Sequence, residues 1–89
     1  MEWGLRIYYD RKYIRLRAKI IYFTPLIEII TVTSKNKILT FQSNRPILIA
    51  KGLKHRRINW KLVDGTLSNS HLLGAITNAL ELHLKDING

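Results

Sequence analysis

Residues 14–20, IRLRAKI, alternate without exception: Ile14, Leu16, Ala18 and Ile20 have one parity, Arg15, Arg17 and Lys19 the other. Side chains that change face at every residue belong to a β-strand, so this stretch demands a sheet with one face on an apolar core. The other face of that sheet then carries cations. Residues 3–9, WGLRIYY, repeat the pattern with Leu5, Ile7 and Tyr9 on one side and Arg6 and Tyr8 on the other. YDRKY between the two runs reads as a hairpin loop. With Arg11 and Lys12 as a two-residue turn, Tyr9 faces Ile14, Ile7 faces Leu16 and Leu5 faces Ala18, and the apolar faces coincide. The same register sets Arg6 opposite Arg17 and Tyr8 opposite Arg15, a like-charge conflict that something must neutralise.

Pro25 punctuates the chain, after which IEIITVT, SKNK and ILTFQS read as a second hairpin over residues 26–33 and 38–43. A turn at Lys35 and Asn36 pairs Val32 with Leu39 and Ile30 with Phe41, leaving Thr31 opposite Thr40 on the outer side. In SNRPILIAKGL, Ser43 or Asn44 followed by Pro46 is a helix start, and Gly52 followed by Leu53 is a stop. The same ILIA would serve as a buried strand. Beyond it, Ile58, Trp60 and Leu62 alternate with Asn59, Lys61 and Val63 up to the Asp64-Gly65 turn. Ser68 or Ser70 can cap a final helix, in which Leu73, Ile76, Leu80, Leu84 and Ile87 form one apolar stripe and Leu82 points away from it. Gly74 costs that helix about 1 kcal/mol relative to alanine, which tertiary packing can offset.

The expected fold class is α+β. An antiparallel sheet of four to five strands (about 3–9, 14–23, 26–33, 38–43 and 57–63) is covered on one face by a short helix (about 45–52) and a C-terminal helix (about 69–86), in a single small domain over residues 1–89. A chain of this length buries only roughly 60–65% of the surface its unfolded form exposes, so its stability is modest. Apolar residues are 46% and charged residues 24% of the chain, a globular rather than disordered balance.

There is no cysteine, which removes disulfides, thiolate metal sites and cysteine nucleophiles and suits a reducing cytosol. Residues 20–32, IIYFTPLIEIITV, are interrupted by Pro25 and Glu28 and fall short of the roughly 20 residues that a spanning helix needs. They also lack a small-residue cleavage site, so the N-terminus is expected to be retained and the protein cytoplasmic.

Fifteen Lys and Arg against six Asp and Glu leave a formal charge of +9, which draws polyanions such as nucleic acid or anionic lipid surfaces. Two groups of residues could use that field. On the outer face of the first hairpin, Arg6, Arg15, Arg17 and Lys19 surround Tyr8, cations for phosphates beside an aromatic for a base. The alternative role for such a face is solubility and protection of sheet edges. In the second group, Lys51, Lys54, His55, Arg56 and Arg57 lie between helix and strand, and Lys61 follows on the strand. There, Lys51 and Lys54 could instead serve the helix C-terminus. Trp60 keeps the phase of Ile58 and Leu62 and is assigned to the core rather than to stacking.

His55, His71 and His83 are scattered, and no nucleophile–base pair, phosphate loop or dinucleotide fingerprint is present. No catalytic residue, metal site or cofactor is assigned. NRPILIAKGLKHRR with the Trp strand and DG turn that follow, residues 44–65, resembles stretches of small bacterial proteins of uncharacterised role, a resemblance that implies no activity. The expectation is therefore a non-catalytic binding domain that takes nucleic acid or another polyanion without reading sequence. The competing expectation is a module for a protein partner or a second copy of itself, through a sheet edge or the helix around Leu82.

Overall fold

The computed structural model describes residues 2–35, 37–53 and 56–88, with backbone only for 86–88. Its elements are β1 (Glu2–Tyr9), β2 (Lys12–Phe23), β3 (Glu28–Thr33), β4 (Ile38–Ser43), α1 (Arg45–Ala50), β5 (Trp60–Asp64) and α2 (Ser70–Asn88). The strands form one antiparallel sheet in the order β1-β2-β3-β4-β5, an α+β arrangement in which the first 25 residues join the same sheet as the rest. Hairpins join β1 through β4, and a connection containing α1 joins β4 to β5. The fifth strand starts at Trp60 rather than at 57, and α1 ends at Ala50.

The second hairpin has the expected register, with Ile30 opposite Phe41, Thr31 opposite Thr40 and Val32 opposite Leu39. The first differs. Its turn is Asp10-Arg11, not Arg11-Lys12, so Ile7 faces Ile14, Leu5 faces Leu16, Arg6 faces Arg15 and Tyr8 faces Tyr13. Lys12 and Tyr13, assigned to the loop, therefore belong to β2. Asp10 and Arg11 have φ of 53° and 63°, the left-handed pair whose twist matches that of the flanking strands. The displacement is by two residues, an even number, and so leaves every side chain on its expected face.

Trp3, Leu5 and Ile7 from β1, Leu16 and Ala18 from β2, Ile30 and Val32 from β3, and Leu39 and Phe41 from β4 make the buried face of the sheet. Ile76, Leu80 and Leu84 of α2 pack on it. Leu73 is only half-buried, and the Ile87 side chain lies outside the described residues. The helix is capped by Asn69 rather than by Ser68 or Ser70. The Asn69 Oδ1 accepts from the N–H groups of His71 at 3.0 Å and Leu72 at 3.1 Å. Its Nδ2 donates to the Tyr9 hydroxyl, tying the cap to the end of β1.

At the opposite end of the sheet Phe23, Glu28, Ser43 and Trp60 form one transverse row. Glu28 shares the parity of Ile30 and Val32 and is fully buried. Its two oxygens take the guanidinium of Arg45 at 2.5 and 2.7 Å, and the Ser43 hydroxyl donates to it at 2.8 Å. The start of α1 is thereby fixed to β3 and β4 through a bidentate pair. Asn44 is the N-cap residue but makes no side-chain cap bond, since its Oδ1 accepts instead from the Asn59 N–H at 2.8 Å. At the far end Gly52, with φ of 69°, allows the N–H groups of Gly52 and Leu53 to reach the carbonyls of Ile49 and Leu48. Backbone groups, not the Lys51 side chain, close this helix.

Candidate nucleic-acid interface

Because α2 covers one face of the sheet, the alternate residues of every strand lie on the other. On β1 and β2 these are Arg6, Tyr8, Tyr13, Arg15, Arg17 and Lys19, all exposed. The corrected register makes two cross-strand pairs of them, Arg6 with Arg15 and Tyr8 with Tyr13. Tyr8 and Tyr13, 62% and 64% exposed, meet edge to face with centroids 5.0 Å apart. The Arg6 guanidinium sits 4.8 Å from the Tyr13 ring centroid, which draws it off Arg15 and relieves the like-charge opposition.

Arg17 opposes Gly4 and reaches Glu2, with Nη2 2.7 Å and Nε 2.9 Å from Oε1. The hydrogen bond from Arg17 and then its charge hold the Glu2 carboxyl below the usual carboxylate range, with Lys19 adding to the effect. Neither Arg6 nor Arg15 has a carboxylate partner among the described residues. The face therefore holds two guanidinium groups without a carboxylate among the described residues, one compensated guanidinium and a lysine beside an aromatic pair.

Of the second group, Lys51, Arg56 and Arg57 are exposed, and Lys54 and His55 lie outside the described residues. Lys61 belongs with the hairpin face, because the row Tyr22, Ile29, Gln42, Lys61 runs across the open side of the sheet. It is three strand spacings from β2, about 14 Å. Lys51, Arg56 and Arg57 occupy the connection between α1 and β5, held at the sheet end by the Asn59–Asn44 bond. The two basic groups are thus not one patch. They are a face and an end, with Lys61 shared in direction with the face.

Trp60 takes no part in the open face. It is half-buried, edge-on to Phe41 at 6.3 Å, and its Nε1 donates to Glu81 at 2.8 Å. The His83 ring is stacked on that of Trp3 at 4.5 Å and 7°. Among the described residues no cluster of three His, Asp or Glu could hold a metal ion, and no helix is long and apolar enough to cross a membrane.

Sequence reasoning missed Tyr13 and Tyr22 as parts of the open face. Tyr13 has the parity of Arg15 and Arg17, and that signal was present once the turn is moved back by one residue. Tyr22 is hidden by a bulge, since the pairing shifts between Ile20 and Tyr22 and breaks the alternation. Comparison of the chain with protein-family models, curated proteins and solved structures gives no match.

Proposed function

We propose that the protein is a non-catalytic binding domain whose uncovered sheet face takes single-stranded nucleic acid without sequence preference. The observation that carries this reading is the Tyr8–Tyr13 pair, solvent-facing and flanked along the strands by the Arg6–Arg15 pair on the sheet face opposite α2. Bases stack on aromatic rings irrespective of identity, and the neighbouring guanidinium groups hold the phosphates that follow. A duplex hides the faces of its bases, so only an unpaired strand can use the tyrosines. Lys61 extends the track along the face, and Lys51, Arg56 and Arg57 supply a further cationic site at its end.

The second reading, a protein-interaction module or homodimer, is favoured by Leu82, 66% exposed on the outer side of α2, and by the edge strands β1 and β5. Titration of labelled single-stranded and duplex oligonucleotides separates the two. Four phosphate contacts at about 0.7 counterions each make affinity for single strands fall on the order of fifty-fold between about 50 and 200 mM salt. Tyr8→Ala weakens single-strand binding about ten-fold or more, the loss of one stacked base. Absence of binding at the lower salt, with a dimer in sedimentation equilibrium that Leu82→Glu dissociates, would replace the first reading by the second.

A further inference from the structure

We infer that residues 21–26, where β2 turns into β3, form an apolar foot that docks the protein on an anionic lipid surface. Ile21, Phe23 and Leu26 are 52%, 56% and 64% exposed, an apolar concentration that the fold does not use. A bulge at Ile21 interrupts the pairing of this strand end, and Ile49 of α1, which follows the terminal row at Ser43, is a further exposed apolar residue. Phe23 lies in the terminal row of the sheet, and the Arg45 guanidinium, 5.8 Å from its ring centroid, connects it to the first turn of α1.

The turn that presents Pro25 and Leu26 pairs its own N–H groups. Thr24 N–H donates to the Ile27 carbonyl at 2.9 Å, and the Thr24 hydroxyl accepts from the N–H groups of Leu26 at 3.2 Å and Ile27 at 3.0 Å. A loop entering the headgroup region loses water from its backbone, so prior internal pairing removes the main obstacle to entry. Aromatic and aliphatic side chains flanked by cations are the composition that this interface accepts.

Charge selects the occupant. Lys51, Arg56 and Arg57 are exposed in the connection that the Asn59–Asn44 bond holds at this end. Of the nearby carboxylates, Glu28 is buried and matched by Arg45 and Glu81 accepts from Trp60, and the three exposed cations outnumber Glu81, so the end is net cationic among the described residues. A second copy docked foot to foot would press these cations of two +9 chains together, whereas anionic headgroups neutralise them. The foot is distinct from the tyrosine face, and this inference does not depend on the nucleic-acid reading.

The test is cosedimentation of the full chain with vesicles of phosphatidylglycerol and phosphatidylcholine, or of phosphatidylcholine alone, at near-physiological salt. Binding to the anionic vesicles is expected, weaker by about ten-fold or more on the neutral ones. Phe23→Ser/Leu26→Ser, and Leu26→Ser alone in case the double variant folds poorly, should lower anionic binding about ten-fold and about three-fold while leaving oligonucleotide affinity unchanged. Equal binding to both vesicle types, no binding to either, or full retention by the folded Leu26→Ser variant overturns the inference. So does a dimer that Leu26→Ser dissociates, which would make a second copy the occupant.

Discussion

Glu28 is the residue at which the sequence is least transparent. It shares parity with Ile30 and Val32 in a strand whose buried face is apolar, and read along the chain it is only a polar interruption. Its partner is 17 residues away, at the start of a helix too short for any periodicity to aim the Arg45 side chain. Removing one partner leaves the other buried and uncompensated. Glu28→Ala should therefore lower the unfolding free energy by about 3–5 kcal/mol in urea, while Glu28→Met/Arg45→Leu recovers most of it. Arg11 poses the converse case, a non-glycine residue at φ 63° in a turn that favours Asp-Gly. Arg11→Gly should raise stability by about 1 kcal/mol by the same assay, since the left-handed conformation costs glycine least. Glu2 tests the electrostatics of the open face. Its carboxyl titrates below its ordinary 4.5, with Arg17 the main cause, so Arg17→Ala should move its NMR midpoint up toward that value. A depressed carboxylate stabilises the fold above its unfolded pKa and ceases to do so as pH falls through the folded one.

The elements were legible where a period repeats and illegible where one residue decides. The alternation in β1 to β4 and the stripe Ile76, Leu80, Leu84 specify strands and helix because each pattern is enforced by the same buried layer. The start of α2 was not resolvable in LSNSH, where three neighbouring residues can all cap. Asn69 is selected because its amide has two functions, accepting from the first turn and donating to Tyr9. Asn69→Ala should cost about 1–2 kcal/mol, and Tyr9→Phe should cost only the smaller, tertiary part of that loss, as read by thermal unfolding. The first hairpin was misread by two residues because its turn contains no glycine to mark the left-handed positions. At the other end of β5, Gly65 has φ of 90°, and a Cβ there would lie 2.6 Å from the Ile38 carbonyl oxygen. Gly65→Ala should destabilise by more than about 1 kcal/mol, since both the conformation and the contact oppose a side chain.

As a whole the molecule is one sheet with a helix on a single side, and it has 15 basic residues to distribute over what remains. Arg6, Arg15, Arg17, Lys19 and Lys61 lie on a tyrosine-bearing face, and Lys51, Arg56 and Arg57 at an end beside an apolar turn. The division was invisible along the chain, because it depends on which strands neighbour each other and on where α1 lies relative to the sheet. The hairpin face itself was visible in IRLRAKI, and what the fold adds is a second tyrosine in contact with the first. The most direct test of the proposed function is an amide chemical-shift titration of the isotope-labelled protein with a single-stranded oligonucleotide. The account predicts the largest shifts at Arg6, Tyr8, Tyr13 and Arg15, smaller ones toward Lys61, and none at Leu82. Shifts confined to residues 21–26 or to α2, or no shifts at low salt, would contradict it.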